Sequence, residues 1–338
     1  MKNYDEKFIS YALNLAKRNR GGTAPNPVVA CVIVRDGEII SSGVTEKNGR
    51  PHAEKIAIEK ISDKQILRDA IIYITLEPCS HFGQTPPCVD EIIKCHFQKV
   101  VIATIDPDER VNGKGIAKLR HAGIEVVCGI LEKEAQEINR GFFKARKTGM
   151  PFVTLKLATS LDGKIATKNF GSKWITSKKA RRFSHFLRAE NDAILVGANT
   201  VRKDDPSLDC RLFGLEEFSP KKIILSNRND FDLQAKIFQN DQPLIIGGKL
   251  EEVLKKLCAS GINSVLVEGG QKTATEFLQE NLVDELVWIR SKKIIGNDGI
   301  AAIGEMNFLK ISEVLDPFSR QEIRGLEEDV IEVYRKIF

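Results

Sequence analysis

Short runs rich in Val and Ile recur along this chain between segments of helical period, and that alternation restricts the fold to the α/β class before any single residue is weighed. VVACVIVRDGEIISSG, AIIYITLEP, KVVIATIDP and IEVVCG form a first series; FVTLKLA, DAILVG, KKIILS, QPLIIG and SVLVEG form a second. The first series opens with a helix expected from about Tyr4 to Asn19, where Phe8, Tyr11, Ala12 and Leu15 recur at helical spacing. Asp36-Gly37 predicts a tight type I′ hairpin, and Pro51 and Pro86-Pro87 mark helix starts. LEKEAQEINRGFFKAR reads as one helix. Gly149 and Pro151 precede the second series, whose closing runs ELVWIRSK and DVIEVYRKIF have no helix after them, which predicts a mixed sheet. At 338 residues the chain is about twice the ~150-residue prior for one domain, so two α/β domains are expected, 1–146 and 147–338.

Charge and cysteine content narrow the function classes. With 51 basic against 46 acidic residues the net charge is only +5, which lacks the excess of a dedicated nucleic-acid binder and leaves small molecules as the expected partners. No apolar run is long enough to span a bilayer, and MKNYDEKFIS has neither a signal-peptide core nor an Arg/Ser-rich transit pattern. A cytoplasmic protein with no membrane partner is therefore expected. The seven cysteines, an odd number in a large chain, point to burial, catalysis or metal ligation in a reducing compartment, not to disulfides.

Three of these thiol and imidazole groups carry a chemical pattern. His52-Ala53-Glu54 is followed 27 residues after His52 by Pro78-Cys79, and Cys88 lies nine beyond Cys79. One imidazole and two thiolates leave a fourth position of a zinc ion open, as catalytic sites do, and Glu54 is the carboxylate placed to move protons. H-x-E followed by P-C-x-n-C is the order of the zinc nucleobase deaminases. Cys88 falls in the first turn after Pro86-Pro87, where unpaired helix N–H groups favour a thiolate. The eight residues between the cysteines can form a loop over a base. Cys31, Cys95, Cys128, Cys210 and Cys258 read as buried small hydrophobes. His81 suits a substrate contact or a solvent role equally, and His96 and His121 read as structural or exposed.

PHAE at 51–54 with EPCSHFGQTPPC at 77–88 resembles the bifunctional riboflavin-biosynthesis family in which a diaminohydroxyphosphoribosylaminopyrimidine deaminase is fused to a 5-amino-6-(5-phosphoribosylamino)uracil reductase. The second half is similar in KLATSLDGKIA at 156–166, GSKWITS at 171–177, HFLRAENDAILVGANTVRKDDPSLDCR at 185–211 and VEGG at 267–270, so the resemblance covers nearly the whole chain. It implies a cytidine-deaminase-like three-layer α/β/α domain followed by a dihydrofolate-reductase-like α/β domain, one zinc ion, and NADPH. It further implies that Asn26 and Asp106 face the substrate of the deaminase. In the reductase it implies that Ser172, Arg188, Asp204, Leu208, Arg211 and Glu268 hold the phosphoribosylaminopyrimidine, and that Ala158, Trp174, Thr200, Ser226 and Gly270 contact NADPH. Lys156 is a further candidate at the reaction centre, and Arg228 for gripping a 2′-phosphate. A homo-oligomer is left open.

One departure stands out. The family commonly reads D-P-N-P where this chain has Asp106-Pro107-Asp108-Glu109; a carboxylate cannot donate as an amide can, and Asp108 and Glu109 are expected in a solvated turn. The departure also motivates the alternative that only one activity is retained. A free-cytidine or nucleic-acid deaminase would share the metal chemistry but leave the second half idle, and a non-enzymatic zinc protein would close the metal's coordination.

Overall fold

The computed structural model describes residues 2–83 and 86–337, with the side chains of residues 2 and 3 excepted. Residues 84 and 85 of the expected loop between the cysteines lie outside the described residues. Two compact units divide between Gly149 and Met150, because the helix that crosses positions 146 and 147 continues to Thr148 and ends on Gly149 in a left-handed conformation. Among the described residues no helix is long and apolar enough to cross a membrane.

The first unit runs α1 (Lys2–Lys17), β1 (Ala30–Arg35), β2 (Glu38–Val44), α2 (Ala53–Glu59), β3 (Ile71–Ile74), α3 (Cys88–Cys95), β4 (Lys99–Ile102), α4 (Lys114–His121), β5 (Glu125–Cys128), α5 (Glu132–Ile138) and α6 (Arg140–Thr148). Its sheet has the order β2-β1-β3-β4-β5, antiparallel at the β2-β1-β3 end and parallel from β3 to β5. Positive φ at both Asp36 and Gly37 makes the expected hairpin. Period-two alternation splits the buried side chains between two faces. Ile72, Ile74, Val100 and Ile102 pack beneath α2, α3 and α4, while Tyr73 and Val101 pack beneath α1 and α5. The result is three layers. Tyr11, expected on the buried stripe of α1, is exposed; Phe8, Ile9, Ala12, Leu13 and Ala16 form that stripe.

The helix expected to run unbroken from 131 through 146 is two helices. Asn139 leaves helical geometry at φ −105 and ψ 24 because its amide pairs with the backbone of Val28 in both directions, each bond 2.9 Å. A buried amide that satisfies both partners outweighs one more helical turn.

The second unit runs β6 (Phe152–Thr159), β7 (Lys164–Ala166), α7 (Lys178–Ala189), β8 (Ala193–Gly197), α8 (Ala198–Asp204), β9 (Lys221–Leu225), β10 (Leu244–Ile246), α9 (Leu250–Ala259), β11 (Ser264–Val267), α10 (Gln271–Gln279), β12 (Glu285–Arg290), β13 (Ile300–Ala301), β14 (Phe318–Leu326) and β15 (Asp329–Lys336). Eight strands in the order β10-β9-β8-β11-β6-β12-β15-β14 form a mixed sheet, with β15 and β14 antiparallel to their neighbours. Val153, Leu155, Val265 and Val267 face α9 and α10; Ile194, Val196, Leu266 and Ile289 face α7 and α8. Strand β14 escapes the sequence reading because FSRQEIRGL is an edge strand whose middle is exposed, with no apolar alternation to mark it.

Candidate active sites

In the first unit, His52 is the N-cap of α2 and Cys88 the first residue of α3, with Pro87 as its N-cap. The two helix starts converge with Cys79, which follows β3. His52 Nδ1 lies 3.3 Å from Cys88 Sγ and 3.7 Å from Cys79 Sγ, and the Cys88 backbone N–H donates to Cys79 Sγ at 3.3 Å. All three ligand atoms fall within 4.8 Å of one another, a spacing and a sulfur-nitrogen donor set that fit one zinc ion. The Cys79 thiol is pulled down to about 4 by bonds from Cys88 and His52, whereas the Cys88 thiol is pushed up, first by its bond to Cys79 and then by burial. Glu54, one helical position beyond Ala53 and 4% exposed, is raised to about 7 by burial and then by the negative Cys79.

His52, Glu54 and Cys79 open onto a cavity of ≈ 380 Å³ that Asn26, His81 and Asp106 also line. Asn26 Nδ2 donates to the Gly49 carbonyl at 3.0 Å, and Gly49 must be glycine: its φ is +79, and a Cβ would fall 2.4 Å from that same Nδ2. His81 Nδ1 is buried with no hydrogen-bond partner among the described residues. His96 and His121 are exposed.

Glu77, which no local motif marks, organises the opposite wall. Its carboxylate accepts from the backbone N–H groups of Asp106 (3.3 Å), Gly113 (2.8 Å), Gly115 (2.9 Å) and Ile116 (3.2 Å). This pins the Asp106 loop and the start of α4 against the cysteine segment. Asp106 is buried, accepts from the Asp108 N–H at 2.8 Å, and is raised to about 7 chiefly by that burial. The expectation of a solvated turn holds for Glu109, which is exposed, but not for Asp108, which is 9% exposed. Two guanidiniums reach its carboxylate: Arg110 Nη2 at 2.6 Å and Arg146 Nε at 3.2 Å. Ion pairing made burial of Asp108 tolerable, and nothing in the local sequence displays Arg146 as its partner.

The second unit holds two cavities, ≈ 570 and ≈ 340 Å³, that share Ile165, Ser172, Thr200, Asp204 and Gly270. Ala158, Trp174, Arg188, Arg211 and Glu268 line the smaller one, and Ser226 the larger. At the centre, Arg188 grips Glu268 through Nε at 2.8 Å and Nη2 at 3.0 Å, and Lys156 Nζ approaches the same carboxylate at 3.4 Å. Burial alone would raise Glu268, but Arg188 and Lys156 hold it well below the usual carboxylate range. His185, unremarked in the sequence, takes the Arg211 N–H at 3.2 Å on Nδ1. Gly270 is the N-cap of α10, whose first residues Gln271, Lys272 and Thr273 line the larger cavity with it.

Two expected residues sit elsewhere. Leu208 lines neither cavity; its side chain is 3% exposed and packs into the core under α7 and α8, with φ at 59. Arg228 also lies outside both linings; its backbone closes a turn on the Ser226 hydroxyl, which accepts the Arg228 N–H at 3.1 Å and donates to its carbonyl at 2.8 Å.

The family described as RibD C-terminal domain matches residues 151–329, and the cytidine and deoxycytidylate deaminase zinc-binding region matches residues 2–104. The chain is 40% identical to the riboflavin biosynthesis protein RibD of Aquifex aeolicus, covering 99% of each, and 37% identical to that of Escherichia coli, covering 96% of this chain and 98% of the other. Among solved structures, RibD of Acinetobacter baumannii superposes over 100% of both chains with a TM-score of 0.92 at 35% identity. The deaminase/reductase of Thermotoga maritima does so over 99% of both, with a TM-score of 0.91 at 35% identity.

Proposed function

The chain belongs to the RibD family of bifunctional riboflavin-biosynthesis proteins and carries a zinc-binding deaminase domain followed by a reductase domain, and on that premise we propose the following division of labour. The first domain removes the 2-amino group of 2,5-diamino-6-(5-phosphoribosylamino)pyrimidin-4(3H)-one as ammonia. The second reduces the ribosyl group of the resulting 5-amino-6-(5-phosphoribosylamino)uracil to ribityl, giving 5-amino-6-(5-phosphoribitylamino)uracil. The observation that carries the first step is the convergence of His52, Cys79 and Cys88 beside the buried carboxylate of Glu54.

His52, Cys79 and Cys88 would hold a zinc ion, which would supply the Lewis acidity that makes water nucleophilic toward the amino-bearing carbon. Glu54 takes the water's proton and delivers protons first to the ring and then to the departing amine, so a carbonyl remains and ammonia leaves. Asn26 and Asp106 orient the pyrimidine. In the second domain a bound NADPH would supply hydride for C1′ of the sugar. Ala158, Trp174, Thr200, Ser226 and Gly270 hold the nucleotide; Ser172, Asp204 and the Arg188-Glu268 pair orient the sugar, and Arg188 and Arg211 grip its phosphate. Leu208, whose side chain is in the core and which lines neither cavity, is left without a role in substrate binding. The substrates are small molecules, and the reading needs neither nucleic acid nor a membrane. Free thiols at all seven cysteines suit the cytoplasm, and a homo-oligomer is compatible with every role assigned.

Glu54→Gln tests the deaminase assignment: the variant should keep about one equivalent of zinc by elemental analysis while losing ammonia release. Full ammonia release from the variant, or from metal-free wild type, would overturn it.

A further inference from the structure

Asp108 is the point at which this chain leaves the D-P-N-P pattern, and it is the hub of a charged cluster in the deaminase cavity. Arg110 forks onto its carboxylate, Nε to Oδ1 at 2.8 Å and Nη2 to Oδ2 at 2.6 Å, and the Arg110 N–H adds a bond to Oδ1 at 3.0 Å. Arg146 Nε reaches Oδ2 at 3.2 Å, and its guanidinium lies 4.8 Å from the centre of the Phe142 ring. Both carboxylate oxygens are therefore taken, and a ligand in the cavity meets guanidinium where the sequence suggested bare negative charge.

We propose that Arg110 and Arg146, held in place by Asp108, form the subsite that receives the substrate phosphate in the deaminase cavity. The inference rests on the deaminase reading above. Both arginines line the cavity together with His52, Glu54 and Cys79. Neither Nη of Arg146, nor Nη1 of Arg110, has a hydrogen-bond partner among the described residues. Two guanidiniums against the one carboxylate of Asp108 leave that cluster a surplus positive charge, while Glu77 on the same cavity has its carboxylate engaged by four backbone N–H groups. The neighbouring Asp106 is raised to about 7 by its burial, which reduces the opposing negative charge near neutrality. One guanidinium is enough to neutralise Asp108. A second one, braced on Phe142 with both Nη groups unpartnered, is a phosphate donor set, since guanidinium forks match phosphate oxygens in geometry and charge. With the base at the metal ligands and Glu54, the phosphoribosyl arm must occupy another wall of the same cavity. The Asp108 cluster offers that wall its donors and restores the hydrogen-bond donation an amide at 108 would have given.

The test uses the full-length zinc-loaded enzyme, with the diaminopyrimidine nucleotide and its 5′-dephosphorylated counterpart as paired substrates. Arg146→Ala should raise KM for the nucleotide about tenfold or more, with no matching rise for the dephosphorylated compound, and Arg146→Lys should recover part of the loss. Inorganic phosphate should inhibit wild type competitively and inhibit Arg146→Ala more weakly by a similar factor. An equal rise in KM for both substrates, or an unchanged KM for the nucleotide, would show that Arg146 only supports the loop and would overturn the proposal. If wild type released no ammonia, the deaminase reading would fail instead. Calorimetric binding of inorganic phosphate would still decide the subsite, supporting it if Arg146→Ala weakens binding and overturning it if binding is unchanged.

Discussion

Removing Arg188 should destabilise the second unit by an amount its geometry fixes. Arg188→Ala deletes two charge-assisted bonds to Glu268, at 2.8 and 3.0 Å, and a third at 3.0 Å to the Asp209 carbonyl. It leaves a buried carboxylate with only Lys156, at 3.4 Å. Breaking one partner of a buried ion pair costs about 3–5 kcal/mol because the other charge stays behind uncompensated. The retained lysine puts the expected loss near the lower end, about 3 kcal/mol, which at a urea slope of about 3 kcal/mol/M moves the midpoint down by about 1 M. The assay is selective: the chain has two tryptophans, Trp174 and Trp288, and both belong to the second unit, so indole fluorescence follows that unit alone. Combining Arg188→Ala with Glu268→Gln removes the stranded charge while leaving an acceptor for Lys156. The double variant should then be more stable, by about 2 kcal/mol, than the sum of the single losses predicts. A loss below about 1 kcal/mol for Arg188→Ala, of the size seen for solvated surface pairs, or strict additivity in the cycle, would refute the reasoning.

Two further outcomes follow from the same geometry. Asp106 binds a proton more tightly in the folded chain, at about 7, than in the unfolded one, at about 3.9; the folded state therefore carries more protons between those values, and its stability falls as pH rises through that window. Asp106→Asn keeps the acceptor for the Asp108 N–H and should abolish this fall, gaining up to about 4 kcal/mol over wild type between pH 4 and pH 8, read by hydrogen exchange of β4 amides at each pH; a gain independent of pH contradicts it. Arg228→Ala should leave any preference for NADPH over NADH intact, because Arg228 lines neither cavity; a ratio of kcat/KM values that collapses toward unity in the variant would place its guanidinium on the cofactor after all.

The cluster of His52, Cys79 and Cys88 beside Glu54 was legible because it is written in local spacing: His52 and Cys88 each stand at a helix start that a proline announces, and the structure brings them within 3.3 Å. The alternation of strands and helices was equally plain, since the central strands carry apolar runs such as Ala193–Gly197 and Ser264–Val267. What escaped was set by partners distant in sequence. Asn139 breaks a helix for the sake of Val28, and Glu77 looks like any acidic residue until four backbone N–H groups close on it. Asp108 reads as a solvated carboxylate until Arg146 folds over it. The edge strand β14 was invisible for the opposite reason, having too little buried surface to impose a pattern. Leu208 shows how a residue matched by resemblance can have its side chain in the core, away from both cavities.

The central claim is that one chain deaminates a pyrimidine nucleotide and then reduces its sugar. The most direct measurement supplies the diaminopyrimidine nucleotide to the purified zinc-loaded protein and follows ammonia release and NADPH oxidation in the same vessel. Ammonia should appear with or without NADPH, and NADPH should be consumed only after ammonia has begun to form, reaching equal amounts at completion. NADPH oxidation without ammonia, or no ammonia from a protein that retains its zinc, would contradict the account.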